Sequence, residues 1–225
     1  MSAASRRRRL SGSEARLVEQ SSLFGDPSPP RLKRRAAPRT GRCRLFFALF
    51  PSAAAVEKIL ELGTGLKGQF VLTGKLHAPN RLHLTLDHLG DFESMPYDAV
   101  KAACEAASGL QVRSSRFSVQ LDRVVSFGHN AQKRPLVLRD SGEANLMLKA
   151  FRINLWDALA AKDVSGGPRS SFTPHVTLLY DAQVVSEHTV DPITWEANEF
   201  VLLHSAMQET RYEILGRWPL PVQPA

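Results

Sequence analysis

Two short stretches of the chain alternate apolar and polar residues with the period of two that is typical of a β-strand. They read Leu-His-Leu-Thr-Leu over residues 82–86 and Pro-His-Val-Thr-Leu over residues 174–178. Successive side chains of a strand point to opposite faces, so His83 and Thr85 share one face, as do His175 and Thr177. Each stretch is therefore predicted to bury an aliphatic face and to hold an imidazole and a hydroxyl on the other.

The apolar pattern elsewhere predicts helices and further strands from residue 43 onward. Helical spacing predicts three helices, Ala53–Leu66 with Ser52 as its cap, Pro96–Ser108 and Glu143–Lys162. Shorter apolar or alternating runs predict strands at residues 44–50, 69–76, 117–121, 136–138, 197–204 and 212–218, in addition to the two motif stretches. This order predicts an α+β fold of two pseudo-symmetric lobes, each an antiparallel sheet with flanking helices, and an active-site cleft between them.

Charge separates the first 42 residues from the rest of the chain. Residues 1–42 carry 11 Lys and Arg against 3 Asp and Glu, whereas residues 43–225 carry 18 against 19. We therefore predict a disordered basic tail over residues 1–42 and a folded domain over residues 43–222. Because the domain is close to neutral, charge alone does not make it a general nucleic-acid binder.

Short features of the sequence predict where the protein is located and which proteins it binds. No apolar run approaches the roughly 20 residues that span a bilayer, and the N-terminus lacks the apolar segment of a secretory signal. Cys43 and Cys104 have neither metal-ligand spacing nor the number expected of a disulfide framework, so we predict the reducing cytoplasm as the location. We also expect the protein to be a monomer. Residues Gln20–Phe24 resemble short peptides that dock on the bacterial DNA sliding clamp, which is a hypothesis for a further partner.

Two imidazoles and two hydroxyls suit chemistry at phosphorus. The unperturbed pKa of histidine is near 6.5, so one ring can act as a base while the other acts as an acid. Thr85 and Thr177 can donate hydrogen bonds to the non-bridging oxygens, where charge grows in the transition state. Nothing in this scheme requires a metal or a cofactor. A cyclic phosphodiester fits because its leaving oxygen stays tethered, but the residues leave open which histidine is the acid.

The two motif blocks together resemble those of the 2H phosphoesterase superfamily. Within it, the chain is most similar to the bacterial RNA 2′,3′-cyclic phosphodiesterases once called 2′-5′ RNA ligases. The resemblance covers about residues 44–220 and rests on the blocks Asn80–Leu86 and Phe172–Leu178. It implies a bilobal fold that hydrolyses a terminal 2′,3′-cyclic phosphate on RNA 3′ ends to a 2′-phosphate without a metal.

The resemblance also implies a role for each motif residue. His83 is expected to donate a proton to the 3′ oxygen, and His175 is expected to accept a proton from water. Thr85 and Thr177 are expected to bind the phosphate. Other readings are a 2H enzyme that acts on a small cyclic nucleotide, on ADP-ribose cyclic phosphate or on a 2′-5′ oligonucleotide, and a module that binds RNA ends without turnover.

Some positions depart from the pattern of the family. Tyr180 stands where many relatives carry Arg, and Asp87-His88 replaces a more usual apolar pair. Both departures bear on substrate preference rather than on the catalytic groups. Arg169 is a candidate for a phosphate contact, but its place in a loop beside Gly167-Pro168 favours a solvated side chain. The remaining histidines are interpreted as structural or surface residues, and they are His77, His88, His129, His188 and His204.

Overall fold

A computed structural model describes residues 43–128, 132–142, 144–164, 172–206 and 212–222. The strands in these ranges are β1 (Cys43–Leu49), β2 (Leu84–Phe92), β3 (Phe117–Ser126), β4 (Arg134–Arg139), β5 (His175–Asp181), β6 (His188–Ala197), β7 (Glu199–Ala206) and β8 (Glu213–Pro219). The helices are α1 (Ala53–Gln69), α2 (Tyr97–Gln111) and α3 (Leu146–Ala160). The predicted tail with the clamp-like segment Gln20–Phe24, His129 and Arg169 lie outside the described residues.

The two motif strands, β2 and β5, are neighbours at the centre of an antiparallel sheet. The strand order is β6-β3-β4-β5-β2-β1-β7-β8. One backbone pair, Leu84 with Val176, joins β2 to β5, whereas the pairings within each group of four strands are longer. The sheet therefore consists of two four-stranded halves that meet at the motifs. The predicted α+β class is confirmed.

The hydrophobic core lies between one face of the sheet and the helices. A single buried cluster joins Leu84 and Val176 to residues of all three helices, among them Ile59, Leu110 and Leu155. Helix α1 starts at its predicted cap, where Ser52 Oγ accepts a hydrogen bond from the backbone of the third helical residue at 3.3 Å. No described helix is long and apolar enough to cross a membrane. The other face of the sheet carries the motif side chains beside a second, smaller hydrophobic cluster of Phe46, Ala48, Val201 and Leu203.

Two predictions of strands differ from the structure. Residues 69–76 do not form a strand, because the carboxylate of Asp181 accepts hydrogen bonds at 2.7 Å from the backbones of Thr73 and Gly74 and holds the segment as a loop. A Cβ on Gly74 would lie 2.2 Å from the carbonyl oxygen of Tyr180, so this approach requires glycine.

Strand β6 was not predicted because it contains Pro192. A strand tolerates proline at the edge of a sheet, which is where β6 lies.

Strand β2 carries a β-bulge directly after its motif threonine. Thr85 pairs with Ala48 and Asp87 pairs with Phe47. Ala48 and Phe47 are adjacent in β1, whereas one residue of β2 lies between Thr85 and Asp87. Leu86 is the additional residue. A bulge interrupts the alternation of side chains, so Asp87 lies on the core face rather than beside Thr85.

Strand β5 carries the same bulge at the equivalent position. Thr177 pairs with Val137 and Leu179 pairs with Leu136, which leaves Leu178 as the additional residue. Residues 82–89 and residues 174–181 consequently show the same sequence of buried, partly exposed and exposed positions. In each motif, two buried residues follow one another at the bulge, and an exposed residue comes after them. The two halves of the sheet therefore repeat each other in backbone detail as well as in motif.

Candidate active site

The two motif histidines have the same local hydrogen bond. His83 Nδ1 lies 2.8 Å from the carbonyl oxygen of Arg81, and His175 Nδ1 lies 2.7 Å from that of Thr173. A carbonyl oxygen can only accept, so each Nδ1 carries a proton and donates it. In the neutral ring, Nε2 then holds the lone pair and is the atom available for proton transfer.

The pairing of β2 with β5 brings the four predicted site residues to one face of the sheet. They are His83, Thr85, His175 and Thr177, each partly exposed. Leu84 and Val176 are buried opposite each other on the core face. Because the two strands run antiparallel, each histidine lies on the same side of this pair as the threonine of the other motif. The site is thus built from both halves of the sheet.

Aromatic rings enclose His83. Its ring centroid lies 5.1 Å from that of Phe46 and 5.1 Å from that of Tyr212, which meets it edge to face. The guanidinium carbon of Arg81 lies 3.9 Å above the Tyr212 ring, within the range of a cation–π interaction. These contacts hold the orientation of the imidazole and shield part of the ring from water.

His175 has a different neighbour. The ring of Phe127 meets it edge to face, with 5.3 Å between centroids. Phe127 follows β3 and is part of the loop that leads to β4. The two motifs are therefore equivalent in backbone but differ in the side chains that surround each histidine.

Both imidazoles favour the neutral form. Burial lowers the pKa of His83 to about 4; the hydrogen bond to Arg81 opposes this, and the charges of Arg81, His77 and His175 add to it. Burial also lowers the pKa of His175, against the opposing effect of its bond to Thr173. An anion bound between the rings would raise both pKa values, because it stabilises a protonated imidazole.

Arg81 is a candidate site residue that sequence reasoning did not single out. Its Nη1 atom is buried and has no hydrogen-bond partner among the described residues. Leaving a buried charged donor without an acceptor costs at least about 1–3 kcal/mol, so the position favours an anionic ligand. Its place two residues before His83, in the same polar alternation, is the signal in the sequence that could have identified it.

The two departures from the family pattern have different consequences. The bulge turns Asp87 into the core, where its Oδ1 lies 3.4 Å from Arg152 Nη2 of α3, so this residue is not part of the site. His88 is exposed, and its Nε2 lies 3.1 Å from Asp91 Oδ1. Tyr180 is exposed on the face that carries the histidines.

The other described histidines differ in their relation to the site. His77, interpreted from the sequence as structural or surface, lies close enough to His83 for its charge to lower the pKa of that ring. His188 and His204 have partners of their own, Ser186 O at 3.0 Å and a Glu213 carboxylate oxygen at 2.9 Å. In the described ranges, no group of three or more His, Cys, Asp or Glu side chains could hold a metal ion.

The fold resembles those of solved bacterial proteins. Escherichia coli LigT in its apo form is 27% identical, with a TM-score of 0.61, and the match covers 81% of this chain and 99% of LigT. LigT in complex with 3′-AMP is 25% identical, with a TM-score of 0.57, over 80% of this chain and 99% of LigT. TT0787 of Thermus thermophilus, at 20% identity, a TM-score of 0.64 and coverages of 80% and 100%, shows the fold alone.

A family profile gives the same assignment from sequence. No curated protein sequence matches the chain significantly. The profile described as the 2′-5′ RNA ligase superfamily matches residues 64–208, which is more than half of the chain and includes both His-x-Thr motifs. With its paired motifs at the junction of two antiparallel half-sheets, the chain belongs to the 2′-5′ RNA ligase superfamily of 2H phosphoesterases.

Proposed function

We propose that the protein hydrolyses the terminal 2′,3′-cyclic phosphodiester of RNA to a 2′-phosphomonoester, by metal-independent catalysis with two histidines. Membership of the 2H phosphoesterases supports an enzyme of the phosphodiesterase type that acts on nucleotide-related substrates. The observation that carries the finer proposal is the matched pair His83 and His175, each with Nδ1 bound to a backbone carbonyl and Nε2 available. Two such rings in one site provide both proton transfers of an in-line displacement.

The reaction needs one proton to be removed and one to be supplied. His175 Nε2 takes a proton from water as the water oxygen forms a bond to phosphorus. His83 Nε2 gives a proton to the 3′ oxygen as the bond from phosphorus to that oxygen breaks. The product carries a 2′-phosphate and a free 3′-hydroxyl, and one further proton exchange returns both rings to their starting forms.

The phosphate itself is bound by uncharged and charged donors. Thr85 and Thr177 donate hydrogen bonds to its two non-bridging oxygens, one from each half of the sheet. Arg81 adds a positive charge beside His83, and its buried Nη1 gains the acceptor that it lacks among the described residues. The bound phosphate anion also raises the pKa of His83, which is necessary for this ring to act as an acid near neutral pH.

The direct test uses a short RNA that ends in a 2′,3′-cyclic phosphate. The expected product is a 2′-phosphate, identified by its mass and by the position of the phosphate in NMR. Turnover should persist in excess EDTA. A 3′-phosphate product would reverse the assigned leaving oxygen, and loss of activity in EDTA that one metal restores would contradict metal independence.

The same assay separates the competing activities. Turnover of a 2′-5′-linked oligonucleotide or of ADP-ribose cyclic phosphate, without turnover of the cyclic-ended RNA, would show a different phosphodiesterase. Tight binding of the RNA end without any product would show a binding module. Both results would contradict the proposed substrate.

The lowered pKa values predict an acidic optimum for kcat/KM. In the free protein, one histidine is protonated and the other neutral only between the two pKa values, of which that of His83 is about 4 and that of His175 is below 6.5. We expect kcat/KM to fall about tenfold per pH unit above the higher pKa value. The kcat profile should lie at higher pH because the bound phosphate raises both values. Initial rates from pH 4 to 9 measure this, and a kcat/KM optimum above pH 7.5 would contradict it.

A further inference from the structure

An exposed tyrosine lies on the face of the sheet that carries the histidines. Tyr180 follows His175 by five residues on β5, and 41% of its surface is exposed. Its counterpart in the first half, five residues after His83, is His88, which is engaged with Asp91 at 3.1 Å. The two halves therefore differ at this position, and the second half presents a flat aromatic ring beside the site.

Basic side chains flank the Tyr180 ring. The ammonium nitrogen of Lys133 lies 5.2 Å from the ring centroid, and the His77 ring meets the tyrosine edge to face at 5.7 Å. Lys133 is exposed and forms no ion pair with any residue in the described ranges. Because its ammonium group is exposed, Lys133 can leave the Tyr180 ring and bind a phosphate oxygen instead.

The loop beside Tyr180 is fixed to the end of β5. His77 N donates a hydrogen bond of 2.8 Å to the carbonyl oxygen of Leu178, the bulge residue. Asp181 accepts hydrogen bonds from the same loop, and Gly74 lets the loop backbone pack directly against Tyr180. The aromatic ring and its imidazole neighbour thus keep a set position relative to the motif residues of β5.

The position of Tyr180 relative to the phosphate site fits one nucleotide of extended RNA. Tyr180 lies three positions after Thr177, a distance of at most roughly 10 Å along a strand. Positive charge lies near His77, since the charges of Arg81 and Lys133 lower the pKa of this ring, after the larger effect of burial. Exposed aromatic rings beside basic side chains are the usual binding surface for single-stranded nucleic acid.

We propose that Tyr180, Lys133 and His77 form a binding position for the nucleotide on the 5′ side of the cyclic end. The base of that nucleotide stacks on Tyr180, and Lys133 binds the phosphodiester that joins it to the terminal nucleotide. This assignment rests on the proposed function, since it extends the same site along an RNA strand. It makes the preferred substrate an oligonucleotide rather than a cyclic mononucleotide.

The test compares adenosine 2′,3′-cyclic phosphate with the dinucleotide that carries the same cyclic end. We expect kcat/KM of the native protein to be at least tenfold higher for the dinucleotide. In Tyr180→Ala and Tyr180→Leu the ratio of the two kcat/KM values should fall about tenfold, mainly through KM, because stacking of one base is lost. Tyr180→Phe keeps the ring and should keep the ratio.

Controls distinguish a local subsite from a general effect. Tyr97 is a tyrosine on α2 that is 78% exposed, and Tyr97→Ala should keep the native ratio. Lys133→Gln should lower the ratio and weaken its dependence on salt. A ratio that does not change in Tyr180→Ala and Tyr180→Leu would overturn the subsite.

Failure of the proposed function would be visible separately. If the native protein hydrolysed neither cyclic substrate, that function would be wrong. Fluorescence anisotropy with a labelled, 3′-phosphorylated trinucleotide would then decide the subsite. Tyr180→Ala should weaken binding about tenfold while Tyr180→Phe should not, and equal affinity of all three proteins would overturn it.

Discussion

Replacing either His83 or His175 with alanine is expected to reduce kcat for the cyclic-ended RNA by about 10³-fold or more, with little change in stability. Each replacement removes one of two proton transfers, and general acid–base catalysis by a positioned side chain contributes about 10²–10⁴-fold. Both rings lie on the sheet face away from the helices and are partly exposed, so the variants should fold. Single-turnover rates, together with circular dichroism spectra and unfolding curves, measure the two effects.

His188 offers a matched control for this experiment. Its Nδ1 is also bound to the carbonyl oxygen two residues earlier, Ser186, at 3.0 Å, but it lies at the start of β6 rather than in a motif. His188→Ala should retain kcat within about twofold, since this ring takes no part in proton transfer.

Because the two motif histidines act as a unit, the double variant should be little worse than either single variant. Full activity in both motif variants would refute the two-histidine mechanism.

Replacing Arg152 with methionine is expected to lower the free energy of unfolding by about 3–5 kcal/mol. The side chains of Arg152 and Asp87 are 4% and 2% exposed, and 3.4 Å separates Nη2 from Oδ1. Methionine keeps much of the volume and removes the charge, so the buried carboxylate of Asp87 loses this ion pair. Urea unfolding, followed by tryptophan fluorescence, measures the change.

An exposed ion pair of the same type provides the comparison. Arg44 Nε lies 2.7 Å from Asp91 Oδ1, but the two side chains are 49% and 26% exposed. Arg44→Met should lower stability by less than about 1 kcal/mol, because water solvates the remaining carboxylate. The double variant Asp87→Leu, Arg152→Met should recover most of the lost stability. Equal effects of Arg152→Met and Arg44→Met would show that burial does not strengthen the first pair.

The alternation of polar and apolar residues was sufficient to predict which face of the sheet the four candidate residues share. A period of two placed His83 and Thr85 on the face opposite the buried Leu84, and the same holds for His175 and Thr177. The predicted helices and most strands also have counterparts, because their apolar faces are long and regular. The catalytic roles of these four residues remain predictions.

The bulges could not be predicted in this way. Strict alternation would put Asp87 beside Thr85, whereas the additional residue at Leu86 turns it towards Arg152. A bulge depends on the register with a neighbouring strand, which local sequence does not specify. For the same reason, the contacts of Arg81 with Tyr212 needed the structure, since β1, β2 and β8 bring together parts of the chain that are distant in sequence.

With the proposed mechanism, each bulged motif strand contains two groups of residues with a fixed task. The histidine and threonine take part in the reaction, and the residues between and immediately after them lie in the core. The residue five positions after the histidine belongs to neither group, as His88 and Tyr180 illustrate. A substitution there changes what the protein presents to the rest of a substrate without disturbing the proton-transfer pair or the packing. Such a position gives the fold a route to new substrates at small risk to its reaction.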